Sequence, residues 1–154
     1  MTKKRALRIE LIRSKMADIE ESVNLVEANL PTSFEEFSEL GLVKDGIYKR
    51  MEFSIESIID ILSIINSDLR LSIPEDEEDV VENLGRNGIL TRSMVDKVRR
   101  MKGFRNIIVH RYGRIDDLLA YKILMENLQD FDEFIESIDQ FLEENSAKTK
   151  KRDS

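Results

Sequence analysis

The sequence predicts an all-α protein, a bundle of four main helices plus one or two short ones. Three observations lead there. Apolar residues recur at three- and four-residue spacing through most of the chain, and no stretch shows the strict alternation of a half-buried strand. Only two prolines and six glycines interrupt 154 residues, and 41% hydrophobic beside 36% charged residues is the balance of a bundle with a charged surface. A single domain over residues 1–145 is expected. The tail that follows, residues 146–154, is basic and lacks apolar partners, so it is expected to be disordered.

Each element has its own signature. Ile9, Ile12, Met16, Ile19, Val23, Val26 and Leu30 form one face of a long first helix, which Pro31 closes because proline disfavours helical geometry in the residue before it. Thr32 and Ser33 ahead of Glu35 and Glu36 predict a short capped helix over 33–40, stopped by Gly41. Asp45 is the expected cap of a second long helix, striped by Ile47, Met51, Ile55, Ile58, Leu62, Ile65 and Leu69 and widened by Ile59, Ile61 and Ile64. A helix apolar over more than one face is central in its bundle or touches a second subunit.

Pro74 and the run Glu75 to Asp79 predict an acidic helix start favoured by the macrodipole, with Val80, Val81 and Leu84 as its apolar side and Gly85 or Asn87-Gly88 as its end. Thr91 or Ser93 caps the next helix, and Gly113 closes it near Tyr112. Asp116 caps a last long helix with the stripe Tyr121, Leu124, Leu128, Phe131, Ile135, Ile138 and Leu142.

Composition removes several functional classes. There is no cysteine, which excludes disulfides, thiolate catalysis and cysteine-ligated metals; a single histidine makes a multi-histidine metal site impossible within one chain. No glycine-rich phosphate loop occurs, and no small-molecule cofactor or metal is indicated. Neither a signal peptide nor a run of about 18 apolar residues is present, so a cytoplasmic protein without a membrane partner is expected. The net charge of −7 opposes broad nucleic-acid binding. Yet Arg92, Lys97, Arg99, Arg100, Lys102, Arg105, Arg111 and Arg114 face one acid, Asp96, so that segment carries +7 and reads as a strip able to hold a phosphate chain. A solvated basic helix face is the plainer reading.

Within that segment lies Phe104-Arg105-Asn106-Ile107-Ile108-Val109-His110-Arg111-Tyr112, which holds the lone histidine. At about 100° per residue, Arg105 falls inside the stripe of Met94, Val95, Val98, Met101, Ile108 and Val109. A buried cation must be paired or committed to a ligand. Glu56 and Asp60, one turn apart on the second long helix, are the expected intrachain partners.

His110 is placed by this reading in the last turn of its helix, where the dipole raises an imidazole pKa and suits it to move protons between ribose and phosphate oxygens. Arg105 supplies a fork of donors for a phosphoryl transition state. Together they are a minimal set for metal-independent RNA cleavage, with Asn106 able to orient either the imidazole or the phosphate. A straight helix separates the two by roughly 140°, so the pair requires an irregular helix end, a bent arginine or a second copy of the chain. The competing reading makes Arg105 an ion-pair residue and His110 a C-cap.

The motif, with Gly113, Ile115 and Asp116 after it, resembles the signature of the HEPN superfamily, and more closely its HepT branch: Arg105, the polar Asn106, His110 and Tyr112 match without departure. The similarity reaches upstream to Tyr48 through Ile61 and to Gly88-Ile89-Leu90, covering roughly residues 45 to 145. The resemblance implies a HEPN-like bundle that forms a two-fold homodimer with its motifs facing across the interface. It implies a type VII-like toxin, a metal-independent endoribonuclease acting on RNA, partnered by a minimal nucleotidyltransferase antitoxin of the MntA type. Arg105 and His110 would be catalytic, Asn106 and Tyr112 supporting, and Tyr112 the hydroxyl that receives AMP, adding charge and bulk to the cleft. Glu56 and Asp60 match the resemblance in position, as candidate supporting residues. The alternatives are a non-catalytic nucleotide- or RNA-binding module that partners the nucleotidyltransferase, and a structural homodimer with Arg105 in an ion pair.

Overall fold

The structure, a computed structural model, describes residues 6–109 and 113–153, with side chains to residue 146. Among them there is no strand, and seven helices follow in order: α1 (Ile9–Asn29), α2 (Phe34–Ser38), α3 (Leu42–Asp68), α4 (Glu77–Arg86), α5 (Arg92–Ile108), α6 (Asp117–Asn127) and α7 (Gln129–Asp153). The all-α bundle expected from the periodicity is present.

The bundle is built around α3. Its stripe of Ile47, Met51, Ile55, Ile58, Leu62 and Ile65 is buried, and so are Ile59 and Ile61 on its flanks. A helix apolar over that much of its circumference must be covered on several sides. It packs along α1 on one side and against α4 and α5 on another. In α1, Ile12, Met16, Ile19, Val23 and Val26 meet it as the spacing requires, while α7 closes the far side of α1 through Phe134, Ile138 and Leu142. Phe37 of α2 is fully buried, its ring edge-on to Tyr48 and tilted on Tyr121, which pins the short helix over the ends of α3 and α6.

The N-caps follow the sequence with one exception, and one helix is divided. Ser33, Asp76, Thr91 and Asp116 each accept a hydrogen bond from a backbone N–H three residues on, so four helices begin where a side-chain oxygen can satisfy a free donor. Asp45 is not the cap of α3: Gly41 holds that position with φ 61°, and Asp45 lies inside the first turn, where its charge faces the dipole. The last long helix is not continuous either. It divides at Leu128, whose dihedrals stay helical while Phe131 N–H donates to the Leu128 carbonyl three residues back at 3.1 Å, a locally tightened turn.

For function the decisive boundary is the end of α5. The helix stops at Ile108, with Val109 leaving helical geometry at φ −106° and ψ 85°. Ile107, Ile108 and Val109 are three successive β-branched residues, each with restricted χ1 in a helix, and they weaken its final turn. The sequence places the end near Tyr112 instead, and His110 in the last turn. His110, Arg111 and Tyr112 lie outside the described residues.

Candidate active site

Arg105 stands one turn before the end of α5, with its side chain 19% exposed. It is paired, as its position in the apolar stripe demands, but to neither expected partner. Its Nη2 donates to Oε2 of Glu77 at 2.8 Å and its Nη1 to Oε1 of the same carboxylate at 3.3 Å, an end-on bidentate pair. The hydrogen bond to Glu77 raises the arginine's pKa against an opposing effect of burial, and the charges of Glu56 and Glu52 push the same way. The bond from Arg105 likewise holds the Glu77 carboxyl below its ordinary range, although burial opposes this.

Glu56 is thus near enough to act on Arg105 through its field but forms neither a hydrogen bond nor an ion pair with it, and it is exposed. Asp60 is paired instead with Lys15 of α1, at 3.4 Å. The correction has a geometric cause. Glu77 is the first residue of α4, and burial of Val80, Val81 and Leu84 presses that helix onto α3 and α5. Its acidic start is thereby laid along the basic side of α5.

The consequence extends beyond Arg105. Arg99 donates from Nε to Glu78 at 2.6 Å and from Nη2 to Glu82 at 2.8 Å, and Lys102 lies 3.5 Å from Glu78 and 3.9 Å from Glu77. Across the helix, Lys97 pairs with Glu133 and Arg100 with Asp130, while Arg92 approaches Asp96. Every cation of α5 therefore has a carboxylate within 4.0 Å. The α5 part of the strip is thus answered in space by the acidic run of α4, by α7 and by its own Asp96, so this helix is no open track for a phosphate chain.

What remains accessible at the end of α5 is small and specific. Asn106 is exposed beside the half-buried Arg105, and Val109 adds exposed apolar surface just past the helix end. Because α5 ends before His110, the straight-helix angle of roughly 140° between Arg105 and His110 no longer constrains the pair. The described part of the site is one arginine with a fixed guanidinium and a neighbouring free amide, a set suited to gripping a phosphodiester. Among the described residues no cluster of metal-binding side chains occurs, and no helix is long and apolar enough to cross a membrane.

Glu77 was the residue that sequence reading missed at this site. The only signal for it was the acidic run itself, which reads equally well as a helix start favoured by the dipole.

Comparison with known proteins places this geometry in a family. A Shewanella oneidensis protein named mRNA nuclease HepT is 26% identical over 129 residues, spanning 84% of this chain and 96% of its own length. A relative from Archaeoglobus fulgidus is 32% identical over 98 residues, 64% of this chain and 74% of its own. Among solved structures, the tri-AMPylated Shewanella oneidensis HEPN toxin in complex with MNT antitoxin superposes with a TM-score of 0.75 at 26% identity, covering 84% of this chain and 96% of that one. The family described as Ribonuclease HepT-like matches residues 19–138, a span that holds α3, Arg105 and the whole motif. The chain belongs to the HepT-like ribonuclease family.

Proposed function

We propose that the protein is a metal-independent endoribonuclease, the toxin of a toxin–antitoxin pair, in which Arg105 and His110 are catalytic. The observation that carries this reading is the fixed guanidinium of Arg105 at the end of α5, five residues before the lone histidine. Arg105 binds the scissile phosphate and stabilises the charge that builds on its oxygens as the ribose 2′-oxygen attacks. His110 takes the 2′-hydroxyl proton or delivers one to the departing 5′-oxygen, and Asn106 hydrogen-bonds phosphate or imidazole. Neither role calls for a metal ion: the guanidinium supplies the positive charge and the imidazole moves the proton.

Control is proposed to act at the same place. A nucleotidyltransferase antitoxin of the MntA kind transfers AMP to Tyr112, two residues from His110, and the added phosphate blocks the cleft by charge and bulk. The tri-AMPylated state of the similar Shewanella oneidensis toxin, in complex with its MNT antitoxin, supports AMPylation as the means of control. Two copies of the chain with their motifs facing one another would form one composite cleft. Residues 1–145 are read as the working unit.

The test is cleavage of RNA by the purified protein in EDTA, together with its intact mass after incubation with the cognate nucleotidyltransferase, ATP and Mg²⁺. Cleavage abolished by His110→Ala and Arg105→Ala, and AMP-sized additions lost in Tyr112→Phe, are the expected results. A wild-type protein that binds RNA but never cuts it would make the chain a binding module instead.

A further inference from the structure

An arginine presents two usable forks of donors. One is end-on, formed by the two terminal nitrogens; the other is side-on, formed by Nε and the outer hydrogen of the terminal nitrogen on its side. In Arg105 the end-on fork is taken by the two oxygens of Glu77, and Nε makes no hydrogen bond among the described residues. We propose that Glu77 is a positioning residue of the active site, holding the Arg105 guanidinium by its end-on fork so that the side-on fork faces the RNA phosphate.

The inference rests on the ribonuclease reading above, and three features of the structure carry it further. Glu77 stands on a rigid shelf: it opens α4, the turn beneath it is fixed by the Asp76 carboxylate accepting from the Asp79 N–H at 2.9 Å, and Val80, Val81 and Leu84 anchor the helix. The shelf is tied to α5 a second time, through Arg99 with Glu78 and Glu82, so α4 keeps its place without the Glu77 bond. The Arg105 side chain is 19% exposed against 59% for Arg100 and 77% for Arg92, and its guanidinium is held from one side.

A free arginine at that place would sample many rotamers and would have to be ordered by each incoming phosphate. Fixing one fork in advance places that ordering in folding, and a misplacement of about 1 Å at a reacting centre costs up to about a hundredfold in rate. Glu77 does not touch the phosphate in this arrangement; it acts through Arg105.

The experiment compares wild type, Glu77→Gln, Glu77→Asp and Glu78→Gln of the full chain, with steady-state RNA cleavage measured in EDTA. Glu77→Gln should lower kcat about ten- to a hundredfold while KM changes less than about twofold, and Glu77→Asp should recover part of the loss. Glu78→Gln removes an equal charge from the same helix without touching Arg105 and should stay within about twofold of wild type. An unchanged kcat in Glu77→Gln overturns the proposal. So does a fall in KM with kcat retained, which would mean that Glu77 competes with phosphate for the arginine.

A second readout does not depend on turnover. In ¹⁵N-resolved spectra, the Arg105 terminal nitrogens, assigned by their loss in Arg105→Lys, should give separate, rotationally hindered signals that merge in Glu77→Gln. Wild type without cleavage would sink the ribonuclease reading, yet hindered signals lost in Glu77→Gln would still support the Glu77 clamp. Averaged Arg105 signals in wild type would overturn the clamp itself.

Discussion

The Tyr48 hydroxyl donates to Oδ1 of Asp117 at 2.6 Å, and the other oxygen of that carboxylate accepts from Lys44 Nζ at 2.8 Å. One acidic residue in the first turn of α6 thus holds two residues of α3, 69 and 73 positions away. Burial and the neighbouring carboxylate push the Tyr48 hydroxyl far above its usual range, so it stays a donor at any ordinary pH.

Tyr48→Phe should therefore destabilise the fold by about 1.5–3 kcal/mol, the span for a hydrogen bond to a charged group, read as a lower urea midpoint at unchanged m. The same bond gives a pH signature. Burial alone would raise the Asp117 pKa, but the Lys44 and Tyr48 hydrogen bonds outweigh it and the folded-state value is depressed. A depressed carboxyl contributes stability above its unfolded pKa and loses it as pH falls through the folded value. The stability gap between wild type and Tyr48→Phe should accordingly narrow below about pH 4.

Glu77 obeys the same sign. Its folded pKa is lowered chiefly by the Arg105 hydrogen bond, so what the pair adds to stability is present above the ordinary glutamate range and disappears in acid. Thermal melts of wild type and Glu77→Gln at pH 7 and pH 3 should differ at the first and converge at the second. With a Glu77 side chain 43% exposed, the difference at pH 7 should be small.

Two helical glycines should respond oppositely to alanine. A Cβ on Gly85 would meet Cγ2 of Val95 at 3.0 Å, in the seam where α4 lies against α5. Overpacking of about 1–3 kcal/mol is set there against a propensity gain of about 1 kcal/mol, so Gly85→Ala should be neutral to destabilising by about 2 kcal/mol. Gly103, in the middle of α5, has nothing within 4 Å of that position, and Gly103→Ala should stabilise by about 0.5–1 kcal/mol. Urea titrations of the two variants check both signs.

Asn83 is the buried polar joint between α4 and the loop after α3. Its amide donates to Asn66 Oδ1 at 3.1 Å and to the Ser72 carbonyl at 2.8 Å, and its oxygen accepts from Arg86 at 2.9 Å. Asn83→Ala leaves those groups short of partners in a site that is 3% exposed, at a cost of about 1–3 kcal/mol. Since α4 carries Glu77, cleavage should also fall at temperatures where the variant is still folded; parallel melting and activity curves test it.

The bundle was legible because its helices carry long, regular apolar stripes: α1 and α3 bury the residues that their spacing selects. The division at Leu128 was not, because Leu124, Leu128 and Phe131 keep a helical spacing across it and a tightened turn leaves no mark on that pattern. Arg105 betrayed its need for a partner through its place in the stripe, but its partner lies 28 residues away in a run of acids that explains itself locally. Only the packing of α4 chooses Glu77 over Glu56 or Asp60. The end of α5 was misplaced because Gly113 offers a stronger stop signal than three β-branched residues.

The carboxylates laid against every cation of α5 bear on how such an enzyme would find its substrate. Nucleic acid is usually held by releasing the small ions condensed on it, one for each phosphate that a free lysine or arginine replaces, and the affinity falls steeply with salt as a result. A helix whose charges are already answered from within its own fold gains little from that release. The share of RNA capture that runs through α5 should then vary with salt as if only about one or two phosphates were engaged. Such an enzyme would pass over most of the RNA in its surroundings and act where a strand's shape, rather than its charge, brings one phosphate to Arg105.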